Sequence, residues 1–292
     1  MEADSYDALV IGGGPAGLQA ALTLGRMHRS TLLVDSGQYR NGTVAHAHNF
    51  VTHDGRAPDE LRRLAREDVA RYASVELREA TVGAVRETTD GFVAQLEEGT
   101  VEARTLVLAT GMSDELPDVP GLADAWGAEV ANCPFCHGHE FADQPIGLLG
   151  DGPSIGELEA MLAPIGSEVV TFGHDELAKV ERTERGLLAH RVDGDPVELA
   201  GLFLHPSTVQ AAPFAEQLGL DILSSGCIKV DALNRTSHPR VFAAGDLAHV
   251  EELPVPMPSI LAAAAAGQAA GASAVRFLAN PEAENEGNPL TD

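Results

Sequence analysis

The chain has 292 residues, 44% of them hydrophobic and 30 of them glycine, enough to bury a sizeable core and to build two soluble α/β domains. Its 44 acidic against 19 basic residues give a formal net charge of −25, a field that repels phosphate backbones and argues against a nucleic-acid partner. Three cysteines in this length make no disulfide framework.

The amino terminus, Met1-Glu2-Ala3-Asp4, lacks the basic region of a secretory signal. Residues 6–11 read as a buried parallel strand that runs directly into Gly12-Gly13-Gly14-Pro15-Ala16-Gly17. Residues 18–27 continue as an alanine- and leucine-rich helix, and a second strand over 31–34 ends on Asp35. Strand, glycines, helix, strand and acid together form a dinucleotide fingerprint. The glycines permit a tight turn and close approach of a pyrophosphate to the helix end, and the acid meets ribose hydroxyls. The apolar stretch from 8 to 24 contains four glycines and a proline, so it is not read as a membrane span.

Residues 58–72 have helical spacing, with Leu61, Leu64 and Val69 inward. Residues 75–95 alternate, and Asp90-Gly91 marks a hairpin. A buried strand over 105–109 ends at Thr110-Gly111, and an acid- and proline-rich stretch over 114–121 reads as a crossover between domains.

The second unit opens with Cys133-Pro134-Phe135-Cys136-His137-Gly138-His139-Glu140. Cysteines at i and i+3 share one side of a helix's first turn. They can close a small disulfide ring there, and a thiolate gains from the helix's positive end. The histidines and Glu140 put proton carriers beside the sulfurs. The same residues could carry a c-type haem, hold zinc or form a merely structural pair; a redox-active pair is the favoured reading. Cys227 reads as a small buried residue.

A strand over 145–149 precedes Gly150-Asp151-Gly152-Pro153-Ser154-Ile155, an imperfect fingerprint, because Ile155 stands where a small residue should let helix and strand pack closely. The strand over 168–172 leads to Gly173-His174-Asp175 with no arginine after it. An NADP site normally needs cationic groups for the 2′-phosphate. Residues 240–244 form a strand ending at Gly245-Asp246, and Pro258-Ser259 opens a long helix over 260–278 with Ser259 as N-cap. The alanine run at 262–266 is too short to span a bilayer, the tail from Asn280 is polar and expected to be disordered, and a cytoplasmic location is expected.

In this order, the motifs Gly12–Gly17, Asp35, Ala109-Thr110-Gly111, Cys133/Cys136 and Val241-Phe242-Ala243-Ala244-Gly245-Asp246 resemble the low-molecular-weight thioredoxin reductases across nearly the whole chain. The resemblance implies an α/β fold of two Rossmann-like nucleotide-binding domains, the second inserted in the first. It implies a discontinuous FAD-binding domain over 1–113 and 238–292, an NAD(P)-type domain over 114–237 that carries the redox cysteines, and a homodimer. It implies FAD contacts from Gly12, Gly14, Pro15, Ala16, Gly17, Asp35, Ser36, Arg40, Asn49, Thr110, Gly111, Gly245, Asp246 and Ser259, with Asp246 on the ribityl chain and the helix after Ser259 aimed at the flavin.

The departures from the reductases are informative. Pro258-Ser259 stands where they carry an arginine-glutamine pair, and Gly173-His174-Asp175 where they carry a basic cluster. Cys-x-x-Cys-His-Gly with Glu140 two residues on looks like the flavin-dependent dithiol oxidases of the gliotoxin and holomycin type. That resemblance implies oxidation of a small dithiol, electrons passing to FAD and then oxygen, and weak use of NAD(P)H. The candidate catalytic residues are Cys133, Cys136, His137 and Glu140, with Cys136 facing the flavin, Cys133 meeting substrate and His137 as base. His46 and His48 are expected beneath the flavin or in solvent, and no metal is expected. The rivals are an NAD(P)H-dependent reductase of a small disulfide or redox protein, and a flavin-bound sensor or interaction protein.

Overall fold

A computed structural model describes residues 4–281. The tail beyond Pro281 and the first three residues, on which the disorder and signal readings fall, lie outside the described residues. The chain divides into two compact units: residues 4–40, 59–113 and 209–281 form the first, and residues 41–58 and 114–208 the second.

The first unit begins with β1 (Asp4–Ile11), α1 (Pro15–Arg26), β2 (Thr31–Asp35), α2 (Pro58–Val69) and β3 (Val75–Glu79). Strands β4 (Val82–Glu87), β5 (Phe92–Leu96) and β6 (Gly99–Leu108) follow. The sheet order is β3-β2-β1-β6-β5-β4; β1, β2 and β3 pair in parallel, as do β1 and β6, while β4, β5 and β6 are antiparallel neighbours. The expected hairpin at Asp90-Gly91 joins β4 to β5, where the Thr88 amide donates to the Gly91 carbonyl at 2.8 Å. β6 begins six residues before the expected 105, because its first half alternates buried and exposed against β5 and only its second half is continuously apolar.

The second unit receives the chain through β7 (Met112–Glu115), then α3 (Leu122–Ala125), β8 (Val130–Ala131), α4 (Pro134–His137), β9 (Pro145–Leu149), α5 (Pro153–Leu162) and β10 (Glu168–Phe172). β11 (Leu177–Thr183), β12 (Gly186–Arg191) and β13 (Val197–Leu199) make an antiparallel sheet, and β14 (Gly201–Leu204) then enters the parallel sheet β10-β9-β14-β8. Two apolar clusters, one around Leu149, Phe172 and Leu202 and one around Phe141, Ile146 and Leu158, fill this unit.

After β15 (Ser207–Gln210) the chain returns to the first unit with α6 (Phe214–Gln217), β16 (Ile228–Val230), β17 (Val241–Ala243), β18 (Ala248–Val250) and α7 (Ile260–Ala279). β17 pairs in parallel with the apolar half of β6, and the parallel strands carry α1 and α7 on one face and β4, β5, α6 and β16 on the other. The expected return at 238 is corrected to 209, because Phe214, Ala215, Leu220, Cys227 and Ile228 are buried among Leu106, Leu108 and Val241 of the first unit. Residues 41–58 are a second correction, since they group with the second unit although they precede α2. By length and composition α7 is long and apolar enough to cross a membrane. In this fold its small residues are used for packing: a Cβ on Gly267 would run into the Ala16 backbone, so glycine lets α7 lie against α1.

Candidate active site

In the first unit the glycine fingerprint forms the expected β1–turn–α1 junction. Gly12 has φ +111°, and a Cβ there would strike the Ala109 carbonyl, so the turn closes against the end of β6 only with glycine. α1 has Gly14 at its N-cap, Pro15 in its first turn and no side-chain cap, which leaves its first amides available to a ligand. A Cβ on Gly14, Gly37 or Gly111 would find nothing within 4 Å, so the turns after β1, β2 and β6 border open space. Gly245 and Asp246 follow β17, with the Asp246 carboxylate accepting from Arg40 at 2.8 Å. Ser259 caps α7 as expected, its hydroxyl accepting from the Ala262 amide at 3.0 Å. The open turns and the uncapped start of α1 fit a dinucleotide such as FAD, with its pyrophosphate over α1.

Asp35 is 3% exposed and fully engaged. Oδ1 accepts from the Gly13 amide at 3.1 Å and the Gly37 amide at 3.3 Å; Oδ2 takes the Tyr39 hydroxyl and the Arg66 guanidinium. Four donors use the acceptor capacity of one carboxylate, so a ribose hydroxyl would have to displace one of them. Ser36 is exposed at the same strand end, and Thr110 lies beside Gly111. Asn49 is not brought to this cluster: it belongs with the second unit, at φ +60°, its amide donating to Asp54 at 2.7 Å.

In the second unit Cys133 and Cys136 are joined as a disulfide, with Cα atoms 5.3 Å apart. A closed disulfide removes both sulfurs from the ligand set that zinc would need. Among the described residues no group of three or more His, Cys, Asp or Glu is arranged to hold a metal. α4 is a single turn, so the helix-end field expected to favour a thiolate is small, and the neighbouring proton carriers matter more. The turn is seated by Gly138, where a Cβ would meet the Pro134 carbonyl and, at 3.2 Å, Leu162 of α5. Phe141 then anchors the segment, edge-on to Phe203 with ring centroids 5.8 Å apart.

Burial pushes the His137 imidazole below its ordinary pKa; the Glu140 charge opposes this, His48 adds to it, and a hydrogen bond to the Gly127 backbone also opposes it. His137 Nδ1 is buried without a hydrogen-bond partner. A neutral ring with an unpartnered nitrogen retains one atom that can accept a proton. His48, expected beneath the flavin or in solvent, approaches Glu140, a contact the sequence did not signal: from the loop before α2 it puts Nε2 3.5 Å from Glu140 Oε1 and Nδ1 3.7 Å from Asp54 Oδ2. His46 turns to the Gly55 carbonyl at 3.1 Å, and His139 is exposed.

The β9–α5–β10 junction has the topology of a second dinucleotide site, and α5, like α1, starts at a glycine N-cap, Gly152, without a side-chain cap. Ile155 is buried with its Cδ1 3.0 Å from where a Cβ on Gly150 would stand. Beyond β10 the Gly173 amide donates to Glu176 at 2.9 Å and the His174 amide to Asp151 at 3.4 Å. The loop after β10 therefore presents carboxylates where a 2′-phosphate would need cations. A cation that local sequence could not reveal does stand nearby: Arg191 of β12 lies over the Phe172 ring at 4.9 Å.

A family model described as pyridine nucleotide-disulphide oxidoreductase matches residues 6–192. The chain is 33% identical over 313 residues to thioredoxin reductase sirT of Leptosphaeria maculans, covering 93% of this chain and 94% of that protein. It is 37% identical over 174 residues to a probable thioredoxin reductase of Arthroderma benhamiae, a match spanning 57% of this chain but only 43% of that protein. Among solved structures it is similar to HlmI, at 30% identity and a TM-score of 0.84, covering 97% of this chain and 95% of that one.

Proposed function

This chain belongs to the pyridine nucleotide-disulphide oxidoreductase family, as a thioredoxin reductase-like FAD flavoprotein, and from that premise we propose that it oxidises a small-molecule dithiol to a disulfide through Cys133 and Cys136. The observation that carries the proposal is the closed Cys133–Cys136 disulfide with the partner-free Nδ1 of His137 one residue beyond it. The carboxylates after β10 favour this direction over one driven by NADPH, whose 2′-phosphate would need cations there.

The substrate gives one thiol proton to His137, and its sulfur attacks Cys133. The Cys133–Cys136 bond breaks, leaving a mixed disulfide on Cys133 and a thiolate on Cys136. His137 passes that proton to the Cys136 thiolate and takes the proton of the second substrate thiol, whose sulfur attacks the substrate sulfur bound to Cys133 and displaces Cys133 as a thiolate. This releases a cyclic disulfide, so two electrons now reside on the enzyme dithiol and two protons have left the substrate. Glu140 acts as a positioning residue, its charge sustaining the basicity of His137 against burial. The chemistry FAD supplies when bound is two-electron acceptance from that dithiol, with oxygen as the final acceptor and hydrogen peroxide as the product. Gly12, Gly14, Pro15, Ala16 and Gly17 would hold its pyrophosphate, Asp35, Ser36 and Arg40 its ribose side, and Thr110, Gly111, Gly245, Asp246 and Ser259 the remainder; Asn49 stays a candidate from the second unit. The expected assembly is a homodimer, which sedimentation would test.

Anaerobic mixing of the yellow holoprotein with dithiothreitol, NADH or NADPH tests the direction. Bleaching of the flavin by the dithiol, with little response to either nicotinamide, is the expected result. Fast bleaching by a nicotinamide would reverse the direction to that of a reductase, and no bleaching by any of the three would leave a sensor.

A further inference from the structure

His48 lies in a segment that precedes α2 in the chain yet groups with the second unit, and there it meets the turn that follows the cysteine motif. Its ring has a carboxylate opposite each nitrogen: Glu140 at 3.5 Å from Nε2 and Asp54 at 3.7 Å from Nδ1. Asp54 is itself fixed, because its Oδ1 accepts from the Asn49 amide at 2.7 Å, and the loop around it is closed by Ala47 and Arg56, whose backbones bond at 2.7 Å. The His48 side chain is 24% exposed and that of Glu140 35%, whereas Asp54 at 67% faces solvent.

We propose that His48 is a positioning residue for the dithiol chemistry: it holds the Glu140 carboxylate towards His137 and thereby maintains the base that deprotonates the incoming thiol. The inference rests on the reading of His137 as that base. The titratable groups facing His137 are Glu140, from the adjoining turn, and His48, from the 41–58 loop. Those facing His48 are Glu140, Asp54, His137 and the His46 ring, whose centroid is 6.5 Å away.

Two effects of opposite sign separate positioning from a simple charge effect. Glu140 favours protonated His137, whereas the direct influence of His48 disfavours it. If His48 acts only through its own charge, its removal raises the His137 pKa and moves the acid limb of the reaction to higher pH. If it holds Glu140 in place, its removal frees that carboxylate, the His137 pKa falls further, and the limb moves to lower pH with a lower plateau rate.

The test is reduction of the Cys133–Cys136 disulfide in the purified holoprotein by dithiothreitol under argon. It is stopped with N-ethylmaleimide and read as doubly labelled protein by mass spectrometry across pH 4–8. H48L is expected to move the acid limb downward in step with E140Q, by on the order of half a pH unit after solvent screening. The double variant should add nothing to either single change. H48Q, which keeps a donor for Glu140, should stay close to the parent and serves as the readout if H48L does not fold. An upward shift in H48L, an unmoved limb, additive effects, or an H48Q no better than H48L would overturn the proposal. A parent disulfide that dithiothreitol does not reduce at all would instead sink the proposed function.

Discussion

At the scale of single residues, His137 carries the proposed chemistry and Cys227 lies at its boundary. His137 is depressed by burial, so the fold favours its neutral form. Its stabilising contribution is present above the ordinary imidazole value of about 6.5 and is lost as pH falls through the lower folded value. H137Q should flatten that acid portion of the stability curve in urea melts run at stepped pH. It should also slow dithiothreitol reduction of the disulfide by roughly a hundred- to ten-thousand-fold, the usual worth of a general base. Cys227 lies outside this chemistry. It is buried and its thiol is pushed up by that burial, with the Asp246 carbonyl 3.5 Å from its sulfur. Maleimide should therefore label no cysteine in the native protein, two after dithiothreitol and a third only in denaturant. Early labelling of Cys227 would contradict its burial.

At the scale of elements, the α1–α7 pair supports the cofactor cradle. Because a Cβ on Gly267 would press on the Ala16 backbone, which belongs to the fingerprint turn, G267A should lower flavin content as well as stability. The flavin-to-protein absorbance ratio after purification measures this. S259A removes the hydroxyl that accepts from Ala262 and should cost about 1 kcal/mol, seen as a lowered melting temperature. Elements with strong local signals were readable in advance: the strands at β9 and β10 have the expected ends, and β1, β2 and α7 differ by two residues or fewer at each end. The antiparallel β11–β13 sheet and the 41–58 loop had no such signal. Their place depends on which distant apolar faces they cover, and neither helical nor alternating periodicity encodes that. The same limit explains Arg191, which reaches the end of β10 from a strand far along the chain.

At the scale of the whole molecule, a net charge of −25 implies self-repulsion of the native state, so raising salt from about 10 mM to 150 mM should raise the melting temperature as the screening length shrinks from roughly 30 to 8 Å. A melting point that falls over this range would show that local ion pairs such as Arg40–Asp246 outweigh the overall charge. The overall plan was legible because glycine fingerprints and the cysteine pair are contiguous in sequence. The return point at 209 was not, since it is set by tertiary burial of α6 and β16. The placement of residues 41–58 has a consequence for modularity. A cassette cut at 114 and 208 and spliced into a cousin would carry the sulfurs, His137 and Glu140 but leave His48 behind. Recombination at those seams separates the histidine from the carboxylate it faces, so a working transplant has to bring the short upstream excursion along with the insert.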